Sequence, residues 1–166
     1  MYKYLGDWIT DDGRNHENIE ARQRKLQSTT VSINTVASGE VLNRIETAVI
    51  LDLHEKRIIS GFLTNSESWK LNKSDNERLE KAEIRAIKSL FRLPIYTPTP
   101  AIFYTFGPLY TKQRIDKRQL NFLHKIITHN DEEWIKRALI VQKELKLGWY
   151  KNMYSTLEEY QLVITH

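Results

Sequence analysis

The 166-residue chain has no cysteine, so neither a disulfide nor a thiolate metal site can form. Its five histidines, His16, His54, His124, His129 and His166, are scattered. None stands at ligand spacing beside a helper carboxylate, so no zinc site is expected. No run of about 18 apolar residues occurs, which excludes a membrane-spanning helix, and the start lacks the basic-then-apolar layout of a signal peptide. A soluble, intracellular protein is therefore expected. There is no nucleophile elbow, phosphate-cradling glycine loop or His-Glu-x-x-His helix to support enzyme chemistry. Solenoid repeats and low-complexity stretches are missing as well.

Hydrophobic residues make up 40% of the chain, enough for one substantial core or two lobes. The charge is unevenly placed. The net charge is +4, and residues 111–125 alone carry five Lys or Arg against one Asp. Concentrating the whole excess in one short segment points to a polyanion-facing surface. A solvated helix face is the ordinary alternative.

The one β signal is the opening, Tyr2-Lys3-Tyr4-Leu5-Gly6-Asp7-Trp8-Ile9, rich in aromatic and branched residues. Gly6 interrupts it where a bulge or close backbone approach fits, and Asp11-Asp12-Gly13 supplies turn chemistry. A lone short strand is not stable in water, so this piece is expected to pair outside the chain or to pack on the helices after it. The chain reads as the later part of something larger.

Everything after residue 14 reads as helix. Residues 15–36 place Ile19, Leu26 and Ile33 seven apart, a long helix with a narrow apolar seam. A second helix over 40–53 carries Val41, Leu42, Ile45, Val49 and Leu53. The run Ile58-Ile59-Ser60-Gly61-Phe62-Leu63 fits a buried helical turn or a strand equally well by periodicity. Trp69 is read as a core anchor. Ser74-Asp75-Asn76-Glu77 forms a capping box opening a helix with Leu79, Ala82, Ala86, Ile87, Leu90 and Phe91 on its buried face. Its Lys81, Arg85, Lys88 and Arg92 alternate with Glu77, Glu80 and Glu83 as a solvated surface. Pro94, Pro98 and Pro100 mark a lobe boundary over 93–100, and a short helix runs from there to Gly107. Two further helices, 131–147 and 149–162, are separated by Gly148 and read as structural.

Residues 111–129 are the sharpest object. At 100° per residue Arg114, Lys117, Arg118, Asn121 and Lys125 share one stripe, while Ile115, Phe122, Leu123, Ile126 and Ile127 occupy the opposite arc. Such a basic amphipathic helix suits phosphates along a groove, with Asn121 able to meet a sugar or base edge.

The pattern Tyr4-Leu5-Gly6-Asp7-Trp8-Ile9, a turn, and a long polar-apolar helix resembles the primer grip closing the palm of reverse transcriptases of non-LTR (LINE-type) retrotransposons. The order of the later motifs is similar to the thumb and post-thumb helices of those enzymes: Glu67-Ser68-Trp69, the Leu79-Glu80 helix, Phe91-Arg92-Leu93-Pro94 with Thr97-Pro98, Gly107-Pro108-Leu109, and the basic helix from Lys112. The resemblance covers nearly the whole chain at motif level. It implies a mostly α fold, a multi-helix thumb-like bundle with a short N-terminal β-hairpin or strand. Its parts are a primer-grip-like hairpin over 1–14 (Tyr4, Leu5, Gly6), a thumb-like bundle over 15–93 and a post-thumb helical lobe over 94–166. By the same resemblance Arg22 and Lys25 lie near the minor groove of a primer–template duplex as phosphate contacts.

Polymerase chemistry needs carboxylates that hold two Mg²⁺. In the resembled family these lie upstream of the primer grip, and Asp11-Asp12 reads here as a turn and cap. The family's Cys/His knuckle has no counterpart. The resemblance thus implies a noncatalytic fragment of an RNA-directed DNA polymerase, inactive alone and without a cofactor of its own, Mg²⁺ belonging to the parent enzyme. Its partners would be RNA–DNA or DNA duplex, the element RNA and the parent's palm domain, in the nucleus and away from membranes. The second function class is a helical protein-interaction module, or a domesticated retrotransposon remnant with no polymerase role.

Overall fold

Helix dominates the computed structural model of the chain, which describes residues 2–4, 7–9, 16–37, 47–107, 110–128, 133–145 and 148–162. Strands β1 (Tyr2–Tyr4) and β2 (Asp7–Ile9) precede α1 (His16–Ala37). Next comes a helical run in three parts: α2 (Thr47–Leu53), a π-helical stretch (His54–Ile59) and α3 (Ser60–Phe62). A 3₁₀ turn (Ser66–Ser68) leads to α4 (Lys73–Leu90), α5 (Thr99–Phe106), α6 (Thr111–Thr128), α7 (Glu133–Leu145) and α8 (Gly148–Glu159). The mostly α expectation holds. The opening β signal divides into two strands that pair with each other, antiparallel with Tyr2 opposite Ile9 and Tyr4 opposite Asp7.

By contacts the chain forms two compact units, Met1–Thr64 with Lys73–Thr111, and Asn65–Asn72 with Lys112–His166. The division differs from the expected boundary over 93–100. The proline segment does not separate lobes, because Phe91 stacks on Phe106 with centroids 4.2 Å apart and holds α5 against the end of α4.

In the first unit α1 buries Ile19, Arg22, Leu26 and Thr30, spaced three and four apart on one stripe. It runs parallel to α4. Arg78 Nη1 donates to His16 Nδ1 at 2.9 Å, Gln23 Nε2 donates to Arg78 O at 3.1 Å, and Asn34 Nδ2 donates to Ser89 Oγ at 2.8 Å, contacts that advance in the same sense along both helices. The π-helical stretch turns His54, Ile58 and Ile59 inward together, as a widened turn re-aims side chains that α spacing would spread. The ambiguous 58–63 run is therefore helical.

Helix α4 starts at Lys73, which puts Ser74 inside the first turn rather than at a cap. Its buried stripe is Leu79, Glu83, Ala86, Ile87 and Leu90. Glu83 does not belong to the solvated charge ladder expected for it. It is 1% exposed, accepts a hydrogen bond from buried Thr111 Oγ1, and lies 3.9 Å from Nε2 of buried His54. A Schellman closure ends α4, with Leu93 N–H on Lys88 O at 2.8 Å and Arg92 N–H on Ser89 O at 3.2 Å. Arg92 takes the left-handed position, φ +50°, where glycine is usual. Gly107, φ +63°, ends α5 where the sequence places it.

The second unit is built on α6 and α8. Leu123, Met153 and Leu157 form its core, with Leu120, Leu139 and Trp149 packed against them. Trp69 is buried, as expected of an anchor. The 65–72 segment is clasped from two sides. Gln119 Nε2 donates to Trp69 O at 2.8 Å and Ser66 O at 3.3 Å, and Trp149 Nε1 donates to Glu67 O at 2.7 Å. Gly148 opens α8 at φ +62°, and a second Schellman closure, Leu162 N–H on Leu157 O at 2.9 Å, ends it.

Candidate nucleic-acid interface

Helix α6 separates its surfaces sharply. Thr111, Ile115, Asp116, Gln119 and Leu123 are buried, recurring at three, four and one residues as a helix facing a core must. Opposite them Lys117, Asn121 and Lys125 are exposed at four-residue steps. At 1.5 Å rise per residue this row spans about 12 Å along the axis. Among the described residues neither lysine has a carboxylate partner, so both charges face solvent.

The arginines of the expected stripe stand elsewhere. Arg114 is only 8% exposed and Arg118 is half-buried. Both lie at the edge of the buried arc, and Arg114 is a structural residue rather than an open phosphate contact. On the apolar side Ile115 and Leu123 are buried and Ile126 half-buried, as the periodicity predicts. Phe122 and Ile127 are exposed, Phe122 meeting Trp149 edge-on with centroids 5.7 Å apart.

The charge surplus of 111–125 is also smaller in effect than in count. Lys112 Nζ donates to Asp116 Oδ2 at 2.8 Å and to Glu159 Oε2 at 2.7 Å, so its charge is balanced inside the unit. Tyr160 OH donates to the same Asp116 oxygen at 3.0 Å. Burial alone pulls the Lys112 ammonium down, but the hydrogen bonds and charges of Asp116 and Glu159 outweigh it and hold its pKa above the ordinary value. Burial, and then the bond to the Asp116 carboxylate, pushes the Tyr160 phenol up. Outward positive charge on α6 therefore rests on Lys117 and Lys125.

The other expected contacts belong to the first unit. Arg22 is buried on the core side of α1. Lys25 is exposed, and its stem crosses Gly61 so closely that a Cβ there would sit 3.3 Å from Lys25 Cε. Of the primer-grip-like residues, Tyr4 closes β1 opposite Asp7, and Leu5 and Gly6 lie outside the described residues. Asp11 and Asp12 do too. Among the described residues no three His, Asp or Glu side chains gather as metal ligands. No helix among them is long and apolar enough to cross a membrane.

The second unit also holds a cavity of about 690 Å³ lined by Leu123, Ile126, Leu139, Ile140 and Leu157, with Lys136 and Lys143 also on its wall. Sequence reading misses it, because periodicity assigns residues to faces and not to the gaps between helices. Comparison with protein-family models, with curated proteins and with solved structures finds no match.

Proposed function

We propose that this chain is a noncatalytic part of a LINE-type RNA-directed DNA polymerase whose task is to hold the primer–template duplex. The observation that carries the reading is the exposed row Lys117, Asn121 and Lys125 on a helix anchored by its opposite face. The order of motifs from Tyr4 to Lys112 supports it by resemblance. Two lysines about 12 Å apart on a fixed helix engage backbone phosphates without reading bases, and Asn121 between them is placed for a sugar oxygen. A hybrid of A-like form is bound by shape and backbone in this way. The partners are then the RNA–DNA hybrid or DNA duplex, the element RNA and the parent's palm domain, in the nucleus.

Fluorescence anisotropy with a labelled RNA–DNA hybrid tests the reading. Binding in the micromolar range is expected, on the order of other backbone-only contacts, with little dependence on sequence. A hybrid that fails to bind at low salt would overturn it. The apolar cavity between α6, α7 and α8 favours the second reading, a helical protein-interaction module or domesticated remnant. Strong retention of a protein partner together with no affinity for duplex would select that reading.

A further inference from the structure

From Ile84 to Thr111, within the first unit, the chain runs 28 residues with no Asp or Glu while carrying Arg85, Lys88 and Arg92. The half of α1 that lies beside the end of α4, from Lys25 to Ala37, has no carboxylate either. These two segments therefore carry no negative charge, although 21 of the 166 residues are acidic. Arg85 and Lys88 fall at i and i+3 near the end of α4, and Arg92 follows in the turn that closes it.

The first of these segments also exposes aromatic side chains. Tyr96 is 83% and Tyr104 94% exposed, with Ile95 beside Tyr96 at 86%. The backbone under them is fixed. Lys88 Nζ donates to Ile95 O at 2.6 Å, Thr97 N–H donates to Pro94 O at 3.0 Å, and Phe91 stacks on Phe106, two residues beyond Tyr104. Two flat rings held out from a rigid turn and a short helix, in a stretch that carries arginines and no carboxylates, suit a platform on which unpaired bases stack. Stacking tolerates any base, since each has a π face, and the arginines supply the backbone contact.

We infer that this stretch of the first unit, through Tyr96 and Tyr104 with Arg85 and Arg92, binds an unpaired nucleic-acid strand. The site lies wholly in the first unit, whereas Lys117, Asn121 and Lys125 of the proposed duplex contact belong to the second. A protein partner would favour the same rings, but the lack of carboxylates over so long a stretch matches a polyanion better.

The test titrates the full chain with a labelled oligothymidine of about 16 nucleotides and, separately, with duplex DNA. Replacing Tyr96→Leu and Tyr104→Leu removes both rings at exposed positions and is expected to weaken oligothymidine binding by about tenfold for each ring. Duplex binding and the salt slope should stay as in the parent chain. Tyr96→Phe with Tyr104→Phe keeps the rings and should restore single-strand affinity. Arg85→Gln with Arg92→Gln should instead lower the single-strand salt slope by about 0.7 per lost contact. Unchanged oligothymidine binding in the leucine variant overturns the inference, as does an equal loss toward both probes. Reduced self-association in that variant without any change in nucleic-acid binding overturns it in favour of a protein surface. Loss of duplex binding on changing α6, with oligothymidine binding intact, would separate this site from the proposed duplex contact.

Discussion

Thr111 Oγ1 donates to Glu83 Oε2 with both side chains withdrawn from solvent, and His54 Nε2 stands 3.9 Å from the other oxygen of the same carboxylate. A buried carboxylate persists only when its oxygens are met, so this group fixes Thr111 and the π-helical stretch to α4 within the first unit. Glu83→Ala is expected to lower stability by about 3 kcal/mol, since it strips the acceptor from a buried hydroxyl and opens space in the core. Glu83→Gln keeps an oxygen for Thr111 and should cost less than half as much. Denaturant unfolding of the two variants checks the order.

Gln119 plays the matching part in the second unit, its amide spanning Ser66 O and Trp69 O. Gln119→Leu leaves both carbonyls without that donor and is expected to cost about 2 kcal/mol. Gln119→Glu, which sets a carboxylate against two carbonyl oxygens, should cost more at neutral pH. Thermal unfolding of both variants tests this, because a Gln119 without structural work would give equal and negligible shifts.

The Lys112, Asp116, Glu159 and Tyr160 cluster sets an expected response to alkali. Tyr160 and Tyr150, both raised by burial first, keep their protons in the folded state beyond the ordinary phenol value, and Lys112 is raised as well. A pKa raised by folding contributes stability that is complete below the unfolded value and lost as pH rises through the folded one. The melting temperature should therefore hold up to about pH 10 and fall above it. In Tyr160→Phe the neutral-pH melting temperature should drop slightly, and the alkaline fall should be shallower. A fall of unchanged steepness in that variant would contradict the assignment.

The helix over 111–128 is legible from 100° periodicity, and so is its charge surplus, because both are local properties. Where the buried arc ends is not. Arg114 and Lys117 are only 60° apart on the wheel, and which of them faces solvent depends on neighbours remote in sequence. Lys112 likewise counts as a free cation until Glu159, 47 residues on, is folded beside it. The burial of Glu83 escapes sequence reading for a related reason. Its i,i+4 neighbours resemble a surface ladder, although its register with Leu79 and Ile87 on the apolar stripe is an available sign of burial. A hairpin is among the expectations for the opening, but its register, with Tyr2 opposite Ile9, rests on pairing that the strand pattern alone does not encode.

The placement of the arginines has its own consequence. Arg22→Ala and Arg114→Ala each empty a buried position and are expected to destabilise by about 1–3 kcal/mol. Lys117→Ala and Lys125→Ala should stay within about 0.5 kcal/mol of the parent chain. Parallel unfolding curves decide it, and equal stabilities across the four would contradict the division into structural and outward-facing cations.

The proposed duplex contact is tested most directly by the salt dependence of duplex DNA binding in the variant Lys117→Ala, Asn121→Ala and Lys125→Ala. The comparison is with Arg24→Ala, Lys56→Ala and Lys81→Ala, exposed cations already paired with Glu20, Asp52 and Glu77. Each phosphate contact contributes about 0.9 to the log–log slope, so losing both α6 lysines should shallow it by about 1.8, while the paired set leaves it nearly unchanged. Equal flattening in both variants, or none in the first, would contradict the assignment of the duplex contact to α6.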